Sequence, residues 1–437
     1  MSSLLAVLAR LVTMAVSLVT GVITTRLILG STDVEHYALY SLLITIPALL
    51  TFTDLGSGAV LVNSIATSDD PRADVQLRYQ LTAVGRVLLA FATAAMALNT
   101  ILLVTGGWLA IFGEAGQIPG AALAAFLCIT IFCLGVPLGI WTRLMLGQGR
   151  NHIVILLQGL VSPLTLAGVW LMLKFGGDRT ESYLAMASYV AMLIVAALGL
   201  AITARTTSPL VGSAARMVPW LKRFPSVRVM DVGWPMLAQT VTYPIAVGTQ
   251  RYILAQFGSA RDVAEYGVAG QVFFALNSLV LAAGVALWPH FAKRRHQGSL
   301  STGPFGISLL FAGGIAAATA TIWLIGPWLF AFISNGELDV RPATIIAFGA
   351  MVTMTAALYP LGMFIMDKPG IRFQVIPTLA MALVSVALAV ILTPALGILG
   401  PLVAVVIAIA FCQYVPYAIY IRRHRDRLLT STNSSSE

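Results

Sequence analysis

Residues 4–29 of the chain read LLAVLARLVTMAVSLVTGVITTRLIL and contain only two charged side chains, Arg10 and Arg26. A helix rises about 1.5 Å per residue, so this stretch is long enough to cross the roughly 30 Å of hydrocarbon in a bilayer. Similar apolar stretches recur along the chain and predict helices at residues 4–29, 37–63, 80–106, 119–142, 152–174, 183–204, 232–257, 264–290, 305–332, 342–366, 372–393 and 399–421. The sequence therefore predicts an all-α polytopic membrane protein of about twelve transmembrane helices.

The composition supports the membrane class. Hydrophobic residues make up 58% of the 437 positions and charged residues 10%, with a mean hydropathy of +0.90, whereas a soluble domain carries about 25% charged residues. The net charge of +9 comes from 26 basic and 17 acidic residues, and the basic residues are distributed unevenly between the two sides of the predicted membrane. Eighteen lie in the loops and tail on one side, and the opposite loops hold Lys174, Arg179, Arg261 and Arg341. This bias predicts that both termini are cytoplasmic, and it gives no indication of a nucleic-acid partner.

A short internal repeat divides the chain into two halves. Residues 24–29 end the first predicted helix and residues 249–254 end the seventh, with Arg26 and Arg251 at equivalent places. We predict a first six-helix half at residues 1–205, a basic cytoplasmic linker at 206–231, a second half at 232–422 and a disordered cytoplasmic tail at 423–437. Six helices return the chain to the same side, so the halves are predicted to be parallel repeats related by a pseudo-two-fold axis along the membrane normal.

Prolines, tryptophans and cysteines add three expectations. Prolines remove backbone hydrogen bonds and favour kinks, and they fall within or near predicted helices at Pro47, Pro137, Pro163, Pro244, Pro289, Pro327, Pro360, Pro377 and Pro416. Tryptophans near helix ends are expected to be interfacial anchors, namely Trp108, Trp141, Trp234, Trp288 and Trp328. The three cysteines have no metal-ligand spacing, and we expect neither a metal nor a cofactor.

Two stretches carry a resemblance to a known family. Residues 35–40 read EHYALY and residues 54–56 read DLG, and the second half repeats part of this pattern in residues 265–267, EYG, and 288–292, WPHFA. These residues resemble the polysaccharide transporter family of the multidrug/oligosaccharidyl-lipid/polysaccharide flippase superfamily. Ala38 stands where that family usually has glycine. Gln250 stands where an acidic residue is common, so no cation site is carried over to this position.

The resemblance implies a V-shaped, twelve-helix flippase with a central cavity in the bacterial inner membrane. Its substrate would be a polyprenyl-diphosphate-linked oligosaccharide, moved outward by alternating access. Membrane lipids would surround it, and a glycan polymerase and chain-length machinery would be its partners.

Five charged residues lie within the predicted membrane. An arginine or aspartate at the centre of a transmembrane helix costs about 2.5 to 3.5 kcal/mol, so such residues usually face a cavity or a partner. Arg10, Asp54 and Arg86 fall in the predicted cytoplasmic half. They form either a cationic vestibule for a diphosphate or a structural group in which Asp54 neutralises one arginine. Asp54 is also a candidate proton-coupling residue.

Arg26 and Arg251 fall in the predicted outer half. Either they snorkel to the interface, or they flank the substrate path, where a guanidinium suits phosphate because it donates two parallel hydrogen bonds. Polar residues at helical spacing form a stripe along one face of the seventh predicted helix, namely Gln239, Thr242, Tyr243, Thr249 and Gln250. A polar stripe on a membrane helix should face water or another helix. The predicted substrate-binding residues are Arg26, Arg251, Arg10, Arg86, Gln239, Tyr243 and Gln250.

Two other functions fit parts of the sequence. A multidrug or small-solute exporter would share the fold, although a cation exporter would be expected to have more acidic membrane residues. A membrane glycosyltransferase or polymerase acting on polyprenyl-linked sugars would use acidic residues such as those in residues 33–35, DVE. The short outer loops leave little room for a donor and an acceptor, so we predict a non-enzymatic transporter.

Overall fold

The computed structural model describes residues 2–50, 58–68, 70–220, 242, 244–296, 303–425 and 428. These residues form helices and turns, and no strand occurs among them. The chain forms two compact units, Met1–Pro244 and Ile245–Glu437. The predicted boundaries at residues 205, 231 and 422 stay predictions.

The first unit contains twelve described α-helices, several of which are pieces of a single membrane crossing. They are α1 (Ser2–Leu29), α2 (Val34–Leu43), α3 (Ile46–Leu49), α4 (Gly58–Thr67), α5 (Val75–Val104), α6 (Gly107–Phe112), α7 (Ala121–Gly135), α8 (Ile140–Gly147), α9 (Asn151–Gly159), α10 (Val161–Phe175), α11 (Met186–Thr206) and α12 (Leu210–Met217). Short 3-10 helices lie at Gly113–Gln117, Pro137–Gly139 and Asp178–Tyr183.

The second unit has fewer and longer helices among its described residues. They are α13 (Gln250–Phe257), α14 (Ala260–His296), α15 (Phe305–Ser334), α16 (Pro342–Phe364), α17 (Lys368–Leu396), α18 (Leu399–Ala408) and α19 (Val415–Arg423), with a π-helix at Ile409–Tyr414 between the last two. Helix α16 packs against α14, α15 and α18 and is the most buried crossing of this unit.

Ten stretches of the described residues are long and apolar enough to cross a membrane. They are Ala9–Leu29, Val75–Val104, Ala121–Gly147, Asn151–Phe175, Thr180–Thr206, Ala260–Val285, Phe305–Ser334, Pro342–Phe364, Pro369–Leu396 and Leu399–Arg423. They match ten of the twelve predicted helices, and the second and seventh include residues outside the described part. Leu309, Leu324 and Leu383 are each about three-quarters exposed, as expected of side chains that face lipid. The prediction of an all-α polytopic membrane protein is confirmed.

Several predicted helices are interrupted where proline removes a backbone donor. The second predicted helix breaks between α2 and α3 beside Pro47, and the fourth passes through a 3-10 turn at Pro137. The π-helix ends at Tyr414, two residues before Pro416. A proline has no N–H for the carbonyl four residues earlier, so the hydrogen-bond ladder changes register there. By contrast, α-helices continue through Pro327, Pro360 and Pro377.

Side-chain exposure agrees with the predicted interfacial role for only some of the tryptophans, and for those the role stays a prediction. Trp328 is 70% exposed, as an anchor should be, and Trp288 is also exposed. Trp108 and Trp141 are buried, so their assignment as anchors is wrong. The Trp108 indole donates to Asn99 Oδ1 (3.1 Å), and Asn99 in turn donates to the Phe126 carbonyl (3.0 Å). Trp234 lies outside the described residues.

Candidate functional site

A cavity of about 380 Å³ lies inside the first unit, where three membrane crossings are interrupted. Its lining includes Pro47 of α3, Gly139 of the 3-10 turn after α7, and Gln158 and Val161 on either side of the break between α9 and α10. The regular helical surface is lost at each break, and the neighbouring helices do not fill the space. A volume of this size accommodates a small ligand or part of a larger one.

Apolar groups form most of the cavity wall, with a few polar groups among them. Trp141 of α8 and Met192 of α11 supply apolar surface. The Tyr189 hydroxyl donates to the Leu43 carbonyl (2.7 Å), and Thr142 donates to Gly139 O (2.9 Å). The Gln158 amide is exposed at the cavity. The wall thus offers an amide and apolar surface to a solute.

Arg86 on α5 contacts the linker helix. Its Nε donates to Val218 O (3.1 Å) and its Nη2 to Met217 O (3.1 Å). These carbonyls lie at the C-terminal end of α12, where a positive charge is favourable. Sequence reasoning missed this role, because it expected no helix in residues 206–231. Substrate binding by Arg86 stays a prediction.

The other predicted residues of the first unit are Arg10, Arg26 and Asp54. Arg10 is exposed on α1, and Arg26 is half-buried in the last turn of the same helix. That position suits either snorkelling or a half-buried site, and the choice stays open. Asp54 lies outside the described residues, so its predicted pairing with an arginine stays a prediction.

In the second unit, the Arg251 guanidinium lies against aromatic rings of α14. Its Cζ is 5.6 Å from the ring centroid of Tyr266 and 5.9 Å from that of Phe274. Both rings also contact Phe348 of α16. Aromatic faces attract a cation within about 6 Å, and the attraction is stronger away from water. The half-buried Arg251 is therefore held in place in the first turn of α13.

Gln250 contacts Tyr266, one of the two aromatic rings that lie against Arg251. It is 1% exposed, and its Oε1 accepts from the Tyr266 hydroxyl (2.6 Å) while its Nε2 donates to Ala246 O (3.3 Å). In this structure Gln250 is a packing residue that orients Tyr266, and a contact with substrate stays a prediction. Gln239 and Tyr243, the other predicted glycan ligands of this helix, lie outside the described residues.

An ion-pair cluster joins the starts of α14 and α16. Arg341 contacts Asp262 and Glu265, with 2.9 Å from its Nε to Glu265 Oε2. The buried Glu265 also accepts from Thr344 Oγ1 (2.6 Å). The hydrogen bond to Glu265 raises the pKa of Arg341 above its usual value. This arginine is therefore bound to carboxylates and serves packing rather than anion binding.

A second cluster of polar side chains, which sequence reasoning missed, joins α17 to the π-helix and α19. Gln413 in the π-helix donates to Thr378 Oγ1 (3.2 Å), the Thr378 and Tyr417 hydroxyls are 3.4 Å apart, and Tyr417 lies 3.5 Å from Gln374 Oε1. The signal in the sequence is a polar pair four residues apart on each helix, Gln374 with Thr378 and Gln413 with Tyr417. Such pairs on facing helices satisfy each other inside a membrane.

No group of three or more histidine, cysteine or acidic side chains suited to a metal occurs in the described part of the chain. Cys128 and Cys133 are buried inside α7 and Cys412 is half-buried.

Comparison with known proteins gives both a family and a fold. A family model described as polysaccharide biosynthesis protein matches residues 2–294. Comparison with curated protein sequences gives no match.

Solved structures extend the similarity to nearly the whole length. An inward-facing multidrug resistance transporter of the MATE family, in the MOP superfamily, is 15% identical with a TM-score of 0.71 over 98% of this chain and 99% of that one. The lipid II flippase MurJ in an inward closed conformation is 11% identical with a TM-score of 0.66 over 94% of this chain and 87% of that one. A MOP-superfamily transporter from Pyrococcus furiosus is 15% identical with a TM-score of 0.54, over 98% and 96%.

At these identities the similarity establishes the fold. The chain has the twelve-helix fold of MATE-type transporters, which agrees with the helix count predicted from sequence. The pseudo-two-fold axis and the V shape stay predictions.

Proposed function

Because the chain belongs to the polysaccharide biosynthesis protein family, we propose that it moves a polyprenyl-diphosphate-linked oligosaccharide across the bacterial inner membrane. The cargo would be an O-antigen or exopolysaccharide repeat unit, carried from the cytoplasmic to the outer leaflet by alternating access. The family and the fold make the chain a multi-pass flippase or transporter. The glycan-lipid cargo, the membrane and the direction are our proposal.

The observation that best supports this cargo is the placement of Arg251. Its guanidinium is half-buried against Tyr266 and Phe274, in the first turn of α13. Aromatic faces attract a cation within about 6 Å, so the two rings hold the guanidinium in a fixed position. A diphosphate carries the planar oxygen pairs that a guanidinium binds best. Arg26 occupies the equivalent place in the first half of the sequence repeat.

The other predicted residues take supporting roles in this proposal. Gln239 and Tyr243 contact sugar hydroxyls, and Gln250 holds Tyr266 beneath Arg251. Arg10 and Arg86 raise the positive potential near the predicted cytoplasmic face, and Asp54 either pairs with one of them or couples transport to protons. A glycan polymerase and chain-length machinery would receive the flipped lipid.

The test is the double variant Arg26→Ala/Arg251→Ala in cells that lack the native gene. Removing one partner of a desolvated charge contact costs about 2 to 5 kcal/mol, so export of the glycan should fall at least tenfold. Surface glycan and the inner-leaflet pool of the undecaprenyl-type intermediate are measured together. The intermediate should accumulate.

A matched control separates this effect from the loss of charge. Arg372→Ala/Arg423→Ala also removes two positive charges, from exposed positions in the second unit, and should leave export unchanged. Membrane abundance of each variant is followed by immunoblot. Normal export from the first variant at normal abundance would remove the proposed role of both arginines.

A second candidate function is a multidrug or small-solute exporter, and the cavity in the first unit favours it. This cavity is mostly apolar and its volume of about 380 Å³ suits a compact solute. Deleting the gene discriminates the two functions. Accumulation of a lipid-linked glycan supports the flippase, whereas altered drug tolerance without any such accumulation supports the exporter.

A further inference from the structure

Two small basic pockets occupy corresponding places in the two units. The first, of about 410 Å³, includes Asp70, Arg72, Gln148, Arg150 and Thr206 in its lining. The second, of about 290 Å³, is lined by Gly303, Phe305, Phe364, Ile421, Arg422 and Arg425. Neither pocket contains a residue that we assign to glycan transport.

The helix order shows that the correspondence is systematic. The pocket of the first unit lies among the end of α4 with the loop that follows it, the connection from α8 to α9, and the end of α11. The pocket of the second unit lies among the start of α15, the end of α16 and the end of α19. These are the second-to-third connection and the ends of the fourth and sixth crossings of each half. Each unit therefore forms a two-arginine pocket from the same parts.

Both pockets lie at the depth where lipid headgroups begin. Gly147 and Thr206 are the last residues of two membrane-crossing stretches, and Phe305 and Phe364 begin and end two others. The loops concerned belong to the side that the charge bias predicts to be cytoplasmic, and the cytoplasmic leaflet is the one rich in anionic lipid. A phospholipid phosphate thus lies at the level of these arginines.

The contacts of the arginines hold them at the pocket walls. Arg72 Nη2 donates to Thr206 O (3.3 Å), and its backbone N–H donates to Asp70 Oδ1 (3.1 Å). In the second pocket, Arg422 lies over the ring of Phe305, with 5.7 Å from its Cζ to the centroid. A guanidinium has five N–H donors, and these contacts use few of them. Asp70 reduces the positive charge of the first pocket, so the second should bind an anion more tightly.

We propose that each pocket binds the phosphate of an anionic phospholipid headgroup in the cytoplasmic leaflet. The arginines bind the phosphate oxygens. The apolar wall of Phe305, Phe364 and Ile421 receives the first carbons of the lipid chains, so a lipid should bind more tightly than a free phosphate ion. The two sites fix the ends of the crossings in each unit to the leaflet.

The test uses the purified full-length protein in detergent, titrated separately with phosphatidylglycerol, phosphatidylcholine and inorganic phosphate. Bound lipid is counted by native mass spectrometry, and folding is checked by thermal unfolding. Arg422→Gln/Arg425→Gln should weaken phosphatidylglycerol binding by roughly 30-fold, since each arginine near an anionic surface contributes about one factor of five. Arg72→Gln/Arg150→Gln should weaken it less.

The control is Arg372→Gln/Arg423→Gln, which removes the same charge beside but outside the second pocket and should leave lipid binding unchanged. Arg422→Lys/Arg425→Lys should retain more lipid than the glutamine pair, because it keeps the charge. Equal losses in the control and the pocket variant would overturn the proposal. So would phosphatidylcholine binding as tight as phosphatidylglycerol, or arginine-dependent binding of inorganic phosphate without any lipid preference.

Discussion

At the scale of single residues, Asp74 shows how one carboxylate fixes the start of a membrane helix. It is the N-cap of α5, and its Oδ1 accepts from the Leu77 backbone N–H (2.9 Å) while its Oδ2 accepts from the Ser68 hydroxyl (2.8 Å). The first turn of a helix has backbone donors without partners, and a capping oxygen satisfies one of them. We expect Asp74→Ala to lower the free energy of unfolding by about 1 kcal/mol, measured by thermal unfolding in detergent.

The pH dependence of this cap follows from the same contacts. The Leu77 N–H, followed by the Ser68 hydroxyl, lowers the pKa of Asp74 below its usual value. A depressed pKa gives stability that is present above the unfolded pKa of about 3.9 and is lost as the pH falls through the folded value. The wild type and Asp74→Ala should therefore converge below about pH 4. Asp33→Ala is the control, because Asp33 is the N-cap of α2 without a side-chain capping bond; an equal loss there would contradict the capping role.

At the scale of helices, the close packing of α8 against α11 depends on a glycine that sequence alone does not single out. Gly199 of α11 lies against the indole of Trp141 on α8, and a Cβ at this position would overlap the ring. Trp141 is 2% exposed and lines the cavity of the first unit. Extra methyl groups in a tightly packed interface cost about 1 to 3 kcal/mol. We expect Gly199→Ala to lower thermal stability by this amount in a detergent unfolding assay.

Gly313→Ala provides the matched change, because Gly313 lies within the long membrane helix α15 and a Cβ there would meet nothing within 4 Å. It should be neutral or slightly stabilising, since alanine is the better helix former. If both variants lost the same stability, the effect would come from the helix backbone rather than from Trp141.

The helices also show where sequence patterns stop being informative. Hydrophobic length predicted ten crossings that the structure contains, because a bilayer sets that length directly. It did not predict which prolines interrupt a helix. Pro137 and Pro416 lie at interruptions, whereas the helix continues through Pro360. The difference depends on whether neighbouring helices satisfy the carbonyl that the proline leaves unpaired. The sequence of one helix does not show which residues of other helices pack against it.

At the scale of the whole molecule, the sequence predicted the fold better than the site. The apolar stretches were enough for the membrane class, and the resemblance to a family of flippases indicated the transporter class. The predicted site was built from charged residues placed by depth and from a polar stripe on the seventh helix, and neither pattern shows what a side chain contacts. Arg86 contacts the end of α12, and Gln250 is buried against Tyr266. The Arg251 guanidinium lies against two aromatic rings, and its role with an anion stays a prediction.

The orientation of the molecule in the membrane is a prediction of its own, and it rests on the uneven distribution of arginine and lysine. Positively charged loops are retained in the cytoplasm during insertion, so fusions at opposite ends of the crossings should report opposite sides. Alkaline phosphatase joined after Asn335, in the exposed turn between α15 and α16, should be active, because its disulfides form only outside the cytoplasm. The same enzyme joined after Gly149 or after Arg425 should be inactive, and green fluorescent protein at these two sites should fluoresce. Active phosphatase after Arg425 would reverse the orientation, and the pockets assigned to anionic lipid would then face the outer leaflet, where the charge argument for them no longer holds.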